Sequence, residues 1–255
     1  MPRRPKPRPG TVVLLVRHGL TPTTGKEMPA PGAGPNLSDE GWRQAGQAGD
    51  HICAWRATLP ALAALYSSPL SRTKETASVL SKALGLPVIE EPGLMDCDAG
   101  EWAGVPLSEL AKKREWATVL NYPSGFRFPG GESIAEMYGR VVGTVRALAA
   151  RHPGQAVVVV SHADPIKAVL ADAMGVHLDL FQRVNVSPAS VSAINYAEPF
   201  PSVMLVNWTV PDAQRPEGPG ADPGPATSPG PATSPGPATS PGPATSPGPA
   251  TRRQS

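Results

Sequence analysis

The chain has 255 residues, of which 23 are lysine or arginine and 21 are aspartate or glutamate, so its formal net charge is +2. This length suffices for one large α/β domain or two small ones. No basic block dominates, which argues against a nucleic-acid-binding protein. The apolar run Val12–Val16 is too short for a signal sequence or a membrane span. Cys53 and Cys97 have no metal-binding spacing, and they indicate free thiols in a reducing cytoplasm.

Both ends of the chain differ in composition from its centre. Residues 1–10 are basic and rich in proline, and we expect a flexible, solvated N-terminus there. From Pro223 the motif PGPATS occurs four times, followed by PGPAT and RRQS. Because this segment has almost no large apolar residue, residues 211–255 are expected to form a disordered tail, either a spacer or a docking segment for a protein partner. The folded domain is therefore expected at residues 11–210.

The central part alternates predicted strands and helices. The first predicted elements are a strand at Val12–Val16, a helix capped by Ser38 and ending near Trp55, and a strand at Ala64–Ser67. They are followed by a helix capped by Ser68, with Pro69 at its first position and its end near Leu84, by a short strand near Val88, and by a long helix opened by the capping box of Ser133 and Glu136. The last predicted elements are a strand at Ala156–Ser161, a helix capped by Asp164 with Pro165 at its first position and Gly175 past its end, and two strands within Ser190–Tyr196 and Ser202–Trp208. This alternation predicts the α/β class, with a largely parallel sheet between helical layers.

Cationic or imidazole side chains follow three of these strands. Arg17 and His18 end the first, Arg72 lies in the first turn of the helix after the second, and His162 follows the strand at Ala156–Ser161. Ligands of such sheets bind beyond the carboxyl ends of the strands, where helix N-termini also offer free N–H groups. The planar donors of arginine fit phosphoryl oxygens, so we expect a phosphate site here.

Two histidines in an arginine-lined site indicate group transfer as well as binding. A neutral imidazole can attack phosphorus if its other nitrogen has a fixed partner, such as a backbone carbonyl. We expect Gly19 to let the backbone turn tightly beside it. Arg17, Arg72 and His162 can stabilise the phosphoryl oxygens with no metal ion or other cofactor. A leaving alkoxide also requires a carboxylic acid nearby.

Five segments resemble the histidine phosphatase superfamily, also called phosphoglycerate-mutase-like. They are LLVRHGLT, YSSPLSRTKETA, LMDCDAGEWAG, FPGGES and VVVVSHADPIKAVL. The run HLDLFQRVNVSPASVS is similar to a branch of small phosphatases, and we expect it to pack under the site. The resemblance implies a single three-layer domain with a mixed, mostly parallel sheet of about six strands. It also implies that His18 becomes phosphorylated, and that Arg17, Arg72 and His162 form the phosphate pocket.

Three positions depart from the pattern of the family. Asp96 stands where the family usually has its glutamate proton donor, and Asp98 and Glu101 in the same loop are alternatives for this role. Thr24 stands where asparagine is frequent, and its hydroxyl can still bond a phosphoryl oxygen. Ala163 replaces a glycine, and its N–H stays available to substrate if the local φ is negative.

Simpler explanations hold for other polar and aromatic residues. Structural roles are expected for three further histidines, His51, His152 and His177. Solvated helix positions are expected for two arginines, Arg43 and Arg140. Glu132 and Ser133 are explained equally by helix capping and by contacts near the pocket, and Trp102 and Trp116 are expected in the core or at the rim. The segment Glu101–Phe128 is expected to be a lid that reads the leaving group, with Lys112–Trp116 as a solvated helix face or a contact for a second anion.

The sequence therefore predicts a metal-independent phosphomonoesterase in the cytoplasm that acts on a small phosphorylated metabolite, such as a sugar or inositol phosphate. Neither nucleic acid nor a membrane is expected as a partner. Two alternatives stay open. One is a phosphoglycerate-type phosphomutase, and the other is a non-catalytic phospho-ligand-binding protein that binds a partner through its tail.

Overall fold

The structure is a computed structural model that describes residues 9–30 and 34–209. Most of the predicted flexible N-terminus and all of the predicted disordered tail lie outside these residues. The described strands are β1 (Thr11–Arg17), β2 (Leu62–Ser67), β3 (Val88–Glu90), β4 (Ala156–Ser161), β5 (Val191–Tyr196) and β6 (Ser202–Trp208). The α-helices are α1 (Asp39–Trp55), α2 (Ser71–Leu84), α3 (Leu107–Leu110), α4 (Trp116–Asn121), α5 (Ile134–Arg151) and α6 (Ala163–Met174). Short 3₁₀ helices occur at Pro92–Leu94, Gly100–Trp102, Pro123–Gly125 and Leu178–Arg183.

The six strands form one mixed sheet in the order β3-β2-β4-β1-β5-β6. β1, β2, β3 and β4 pair in parallel, whereas β5 runs antiparallel to both β1 and β6. The predicted α/β fold with a mostly parallel six-stranded sheet is therefore confirmed. Because β1, β4 and β2 are neighbours that point the same way, the residues that follow them meet at one edge.

β1 is buried on both faces, and each face packs against a different pair of helices. Val13 and Leu15 join the apolar cluster that contains residues of α5 and α6. Val12, Leu14 and Val16 join a second cluster with residues of α1 and α2. These two clusters make the three layers predicted from the alternation of elements. In the described part of the chain, every helix is too short or too polar to cross a bilayer.

The starts of two helices differ from the prediction. Ser38 caps α1, and Ser133 with Glu136 forms a capping box at α5, as predicted. The prediction that Ser68 caps α2 is wrong: this helix begins at Ser71 and has no side-chain cap. The prediction that Asp164 caps α6 is also wrong, because β4 continues to Ser161 and the chain turns into the helix directly at His162. Pro165 is therefore the third residue of α6.

Gly19 is required by close packing of two backbones. Its φ is outside the left-handed region, so the tight turn predicted there does not explain the glycine. A Cβ on Gly19 would overlap the backbone of Gly41 in α1, and a Cβ on Gly41 would overlap the carbonyl of Leu20. Thus α1 rests directly on the segment that follows β1.

Substitutions at two glycines of α1 test this contact between the helix and the segment that follows β1. Gly41→Ala is expected to lower the free energy of unfolding by about 1–3 kcal/mol, because the added methyl group meets rigid backbone. Gly46 lies in the same helix, but a Cβ there has no heavy atom within 4 Å outside the helix backbone. Gly46→Ala should therefore raise the free energy of unfolding by about 0.5–1 kcal/mol. Urea titration measures both effects, and equal stability of the two variants would contradict the contact.

Candidate active site

His18 is the first residue after β1, and its backbone is fixed on both sides. Its N–H donates to the Ser161 carbonyl at 3.0 Å, and its carbonyl accepts from the Ala189 N–H at 3.2 Å. In the buried side chain, Nδ1 lies 2.8 Å from the carbonyl oxygen of Gly19. A carbonyl only accepts, so Nδ1 carries the ring proton when the imidazole is neutral. Nε2 then keeps its lone pair, as a nucleophile requires.

Arg17 is the last residue of β1, and its guanidinium is buried. Nη1 donates to the Val186 carbonyl at 2.6 Å, and the backbone N–H donates to the Ser190 carbonyl. Both acceptors belong to the run His177–Ser192. This run therefore packs against the site, as predicted.

Arg72 lies in the first turn of α2 and is 3% exposed. Its Nη2 donates to Oδ2 of Asp96 at 3.0 Å. Its Nη1 is buried and has no hydrogen-bond acceptor among the described residues. A buried guanidinium N–H without an acceptor is unfavourable, and a bound anion would accept a hydrogen bond from it.

His162 is fully buried, and its ring centroid lies 5.3 Å from that of His18. Nε2 lies 2.9 Å from Oγ of Ser68, which fixes the ring. Nδ1 has no hydrogen-bond partner in the described segments, and the nearest carboxylate oxygen, Oδ2 of Asp96, is 3.6 Å away. This contact of Ser68 is not predicted from the sequence, because a serine followed by proline after a strand is typical of a helix start.

Asp96 is brought to this cluster by the loop after β3. Oδ1 accepts from the N–H of Cys97 at 3.1 Å, and Oδ2 faces Arg72 and His162. The side chain is 13% exposed. A carboxyl thus lies beside two of the groups assigned to the phosphate pocket.

The two alternative acids are oriented differently. Asp98 is exposed, and its Oδ1 accepts from the N–H of Gly100 at 2.9 Å, which makes a local turn. Glu101 is exposed and lies next to Gly130. Neither carboxylate is paired with Arg72 or His162, in contrast to Asp96.

Thr24 and Ala163 are the remaining predicted contacts of the substrate. Oγ1 of Thr24 accepts from the N–H of Thr21 at 3.0 Å and lies 2.8 Å from the Thr21 hydroxyl, so it closes a turn of the 21–24 segment. Ala163 is the first residue of α6 and has a helical backbone. The negative φ required there is therefore present, and its N–H is one of the four that no carbonyl of the helix accepts.

Arg140 is not the solvated helix residue that the sequence predicts. Its guanidinium donates to Glu132 and to backbone carbonyls of the loop that carries Asp96. Periodicity places a residue on a helix face but does not show which loop covers that face. Arg43 is exposed, as predicted, and it pairs with Glu40. In the GGES segment, Ser133 caps α5, and the carboxylate of Glu132 accepts hydrogen bonds from the guanidinium of Arg140.

The three remaining histidines have structural roles, and the two tryptophans of the segment 101–128 lie in or against the core, as predicted. His51 stacks on Trp208, the His152 ring contacts the Tyr66 hydroxyl, and His177 accepts from the N–H of Asp179. Trp102 is buried against Phe126 and Phe128, and Trp116 is partly buried against the same core. Lys112 is exposed and pairs with Glu109. Across residues 9–30 and 34–209, no three His, Cys, Asp or Glu side chains are grouped as a metal site.

Burial keeps both pocket histidines neutral. Burial lowers the pKa of His18 well below its usual value, and His162, Arg17 and Arg72 lower it further against the opposing Gly19 hydrogen bond. The pKa of His162 is also well below normal, through burial and then through Arg72, Arg17 and Arg140. Unfolding releases both imidazoles into water, where their pKa is about 6.5.

The stability of the protein should therefore fall in mild acid. Below about pH 6.5 the unfolded chain takes up protons that the folded pocket excludes, which costs up to about 1.4 kcal/mol per pH unit for each histidine. We expect the variant His18→Gln/His162→Gln to lose less free energy of unfolding between pH 7 and pH 5.5 than the wild type, measured by urea titration. Other titrating groups are common to both proteins. Equal losses would contradict neutral histidines in the pocket.

Comparison with known proteins supports a common family. The sequence profile of the histidine phosphatase superfamily (branch 1) matches residues 13–209. The bifunctional protein Rv2228c of Mycobacterium tuberculosis is 33% identical over 205 residues, which cover 78% of this chain and 54% of that protein. The chain thus spans about half the length of this relative. Phosphoserine phosphatase 1 of Hydrogenobacter thermophilus is 35% identical over 180 residues, which cover 69% of this chain and 82% of that protein.

The fold is also shared with solved structures. The mycobacterial glucosyl-3-phosphoglycerate phosphatase Rv2419c superposes with a TM-score of 0.68 at 21% identity, over 80% of this chain and 100% of that one. This likeness concerns the fold alone. The sequence profile, which covers nearly the whole described domain, confirms the resemblance carried by the five motifs. The chain belongs to the histidine phosphatase superfamily.

Proposed function

We propose that the chain is a phosphoric monoester hydrolase that forms a phosphohistidine on His18 and acts on small phosphorylated metabolites. The observation that carries this proposal is the Nδ1 contact of His18 with the Gly19 carbonyl, which leaves Nε2 as the nucleophilic nitrogen. Membership of the histidine phosphatase superfamily and the phosphatase names of its relatives support the same activity.

The phosphoryl group is assigned to the donors that surround His18. Nη1 of Arg72 and Nδ1 of His162 are buried and lack hydrogen-bond partners among the described residues. If the Ser68 hydroxyl donates to Nε2 of His162, Nδ1 carries the proton and donates to a phosphoryl oxygen. Arg17, the N–H of Ala163 and the hydroxyl of Thr24 are proposed as the further contacts of the phosphoryl group. These donors are fixed before substrate binds, so little reorganisation is needed as charge develops.

Asp96 is assigned as the proton donor. This role requires Asp96 to hold a proton when the ester is bound. Nε2 of His18 then bonds to phosphorus while the ester P–O bond breaks, and the proton of Asp96 goes to the leaving oxygen. In the second step water attacks phosphorus and gives a proton to Asp96. The P–N bond breaks, and orthophosphate leaves.

The leaving group is assigned to the segment Glu101–Phe128. Trp102, Phe126 and Phe128 anchor this segment in the core, so its polar residues are held on a packed base. One relative is named a phosphoserine phosphatase, and a structural neighbour is named a glucosyl-3-phosphoglycerate phosphatase. Both names refer to small phosphomonoesters, the substrate class proposed for this chain.

The amino-acid composition supports a proposal for the cellular compartment of the protein and another for the role of its tail. Cys53 and Cys97 are unpaired, which favours the cytoplasm. The repeat of residues 211–255 suits a spacer or a docking segment for another protein.

A phosphate-release screen tests the activity. The panel should contain phosphoserine, glucosyl-3-phosphoglycerate, sugar phosphates, inositol phosphates and 3-phosphoglycerate, with His18→Ala as the blank. We expect at least one ester to release orthophosphate, and we expect His18→Ala to lower the rate by about 10³-fold or more. Undiminished release by His18→Ala would refute the mechanism. Isomerisation of phosphoglycerate without net release would favour a mutase, and no turnover of any ester would favour a binding protein.

Esters with different leaving groups test whether Asp96 is the proton donor. A p-nitrophenolate leaves readily without a proton, whereas an alkoxide does not. Asp96→Asn should therefore lower kcat/KM, which does not include hydrolysis of the phosphohistidine, by about 10²–10⁴-fold on an alkyl phosphate and much less on p-nitrophenyl phosphate. Asp98→Asn is the matched control and should leave the ratio of the two rates unchanged. A larger change of this ratio in Asp98→Asn than in Asp96→Asn would reverse the assignment.

A further inference from the structure

The loop that carries Asp96 is held by one side chain of α5. Nη1 of Arg140 donates to the carbonyl oxygens of Gly93 at 3.1 Å and Met95 at 3.0 Å. Nη2 donates to the carbonyl oxygen of Asp96 itself at 3.2 Å. A single guanidinium thus binds three carbonyls along the four residues that end at the assigned acid.

Glu132 fixes the direction of this guanidinium. Its Oε1 accepts from Nε of Arg140 at 3.0 Å, and its Oε2 accepts from Nη2 at 2.7 Å. The backbone N–H of Glu132 donates to the carbonyl of Asp98 at 2.9 Å. The pair therefore holds the loop on both sides of Asp96. A lysine could not reproduce this arrangement, since it lacks the planar fork of donors.

Two further contacts hold the same loop in position. A Cβ on Gly93 would overlap the side chain of Thr144, so the loop lies directly on α5 one turn beyond Arg140. The Ser161 hydroxyl at the end of β4 donates to the Leu94 carbonyl at 2.7 Å. The loop is thereby tied to the strand that leads into His162. Arg140 is also close enough to contribute to the lowered pKa of that histidine.

We propose that Arg140 is a positioning residue, held by Glu132, that fixes the Asp96 carboxyl in the direction required for proton transfer to the leaving oxygen. This inference rests on the proposed function. Arg140 donates to the backbone of the acid and of the residues before it, and it does not touch substrate. Its loss is therefore expected to impair protonation of the leaving group more than attack by His18.

The test compares Arg140→Met with Arg146→Met. Arg146 lies on the same helix but pairs with Asp172, so it is a matched control. For each protein, kcat/KM, which reports the phosphorylation of His18, is measured on p-nitrophenyl phosphate and on an alkyl phosphate, with His18→Ala as the blank. Arg140→Met is expected to lower kcat/KM on the alkyl ester about tenfold to a hundredfold more than on the aryl ester. Arg146→Met is expected to keep the wild-type ratio of rates.

Two additional variants separate positioning from a general loss of structure. Glu132→Gln should shift the ratio of the rates on the alkyl and aryl esters in the same direction. This variant replaces Arg140→Met in the test if Arg140→Met does not fold. In an Asp96→Asn background, Arg140→Met should produce no further change of the ratio, because the group that it positions is already gone.

The outcomes distinguish this inference from the proposed function. Equal losses on both esters in Arg140→Met and Glu132→Gln, or a ratio that still changes in the Asp96→Asn background, would overturn the positioning role and leave the phosphatase mechanism intact. A wild-type protein that releases no phosphate in a His18-dependent way would overturn both.

Discussion

The site depends on positive charge that is buried before any substrate arrives. The guanidinium groups of Arg17 and Arg72 are almost completely removed from water, and Arg72 pairs with one carboxylate, Asp96. Buried cations are unfavourable unless they are paired and fully hydrogen-bonded. The same charges, together with burial, keep His18 and His162 neutral. A pocket with neutral imidazoles and buried donors is suited to a phosphoryl dianion.

Sheet topology explains why these groups meet. β1 lies between β4 and β5, and β2 lies on the other side of β4. His18 follows β1 and His162 follows β4, while Arg72 is carried by the helix after β2. Their side chains lie close together, although His18 and His162 are 144 positions apart in the sequence. Close packing of Gly19 on α1 holds the first of these segments.

The sequence predicted much of this arrangement. Apolar runs such as Ala156–Ser161 located the strands, because they are buried on both faces and carry β-branched residues. The cationic and imidazole residues at their ends predicted the group of side chains that the structure brings together around His18 and His162. The roles of Ser68 and Arg140 were not predicted, since each depends on a partner far along the chain. Ser68 bonds His162, and Arg140 bonds a loop more than 40 residues earlier.

Direct detection of the phosphorylated residue tests the central claim, nucleophilic attack by His18. Asp96→Asn would be mixed with labelled p-nitrophenyl phosphate, stopped in alkaline denaturant to preserve phosphohistidine, and mapped by peptide digestion. The account predicts label on the peptide that contains His18 and none in the same variant carrying His18→Ala. Label on another residue, or hydrolysis without any protein-bound label at times shorter than one turnover, would contradict it.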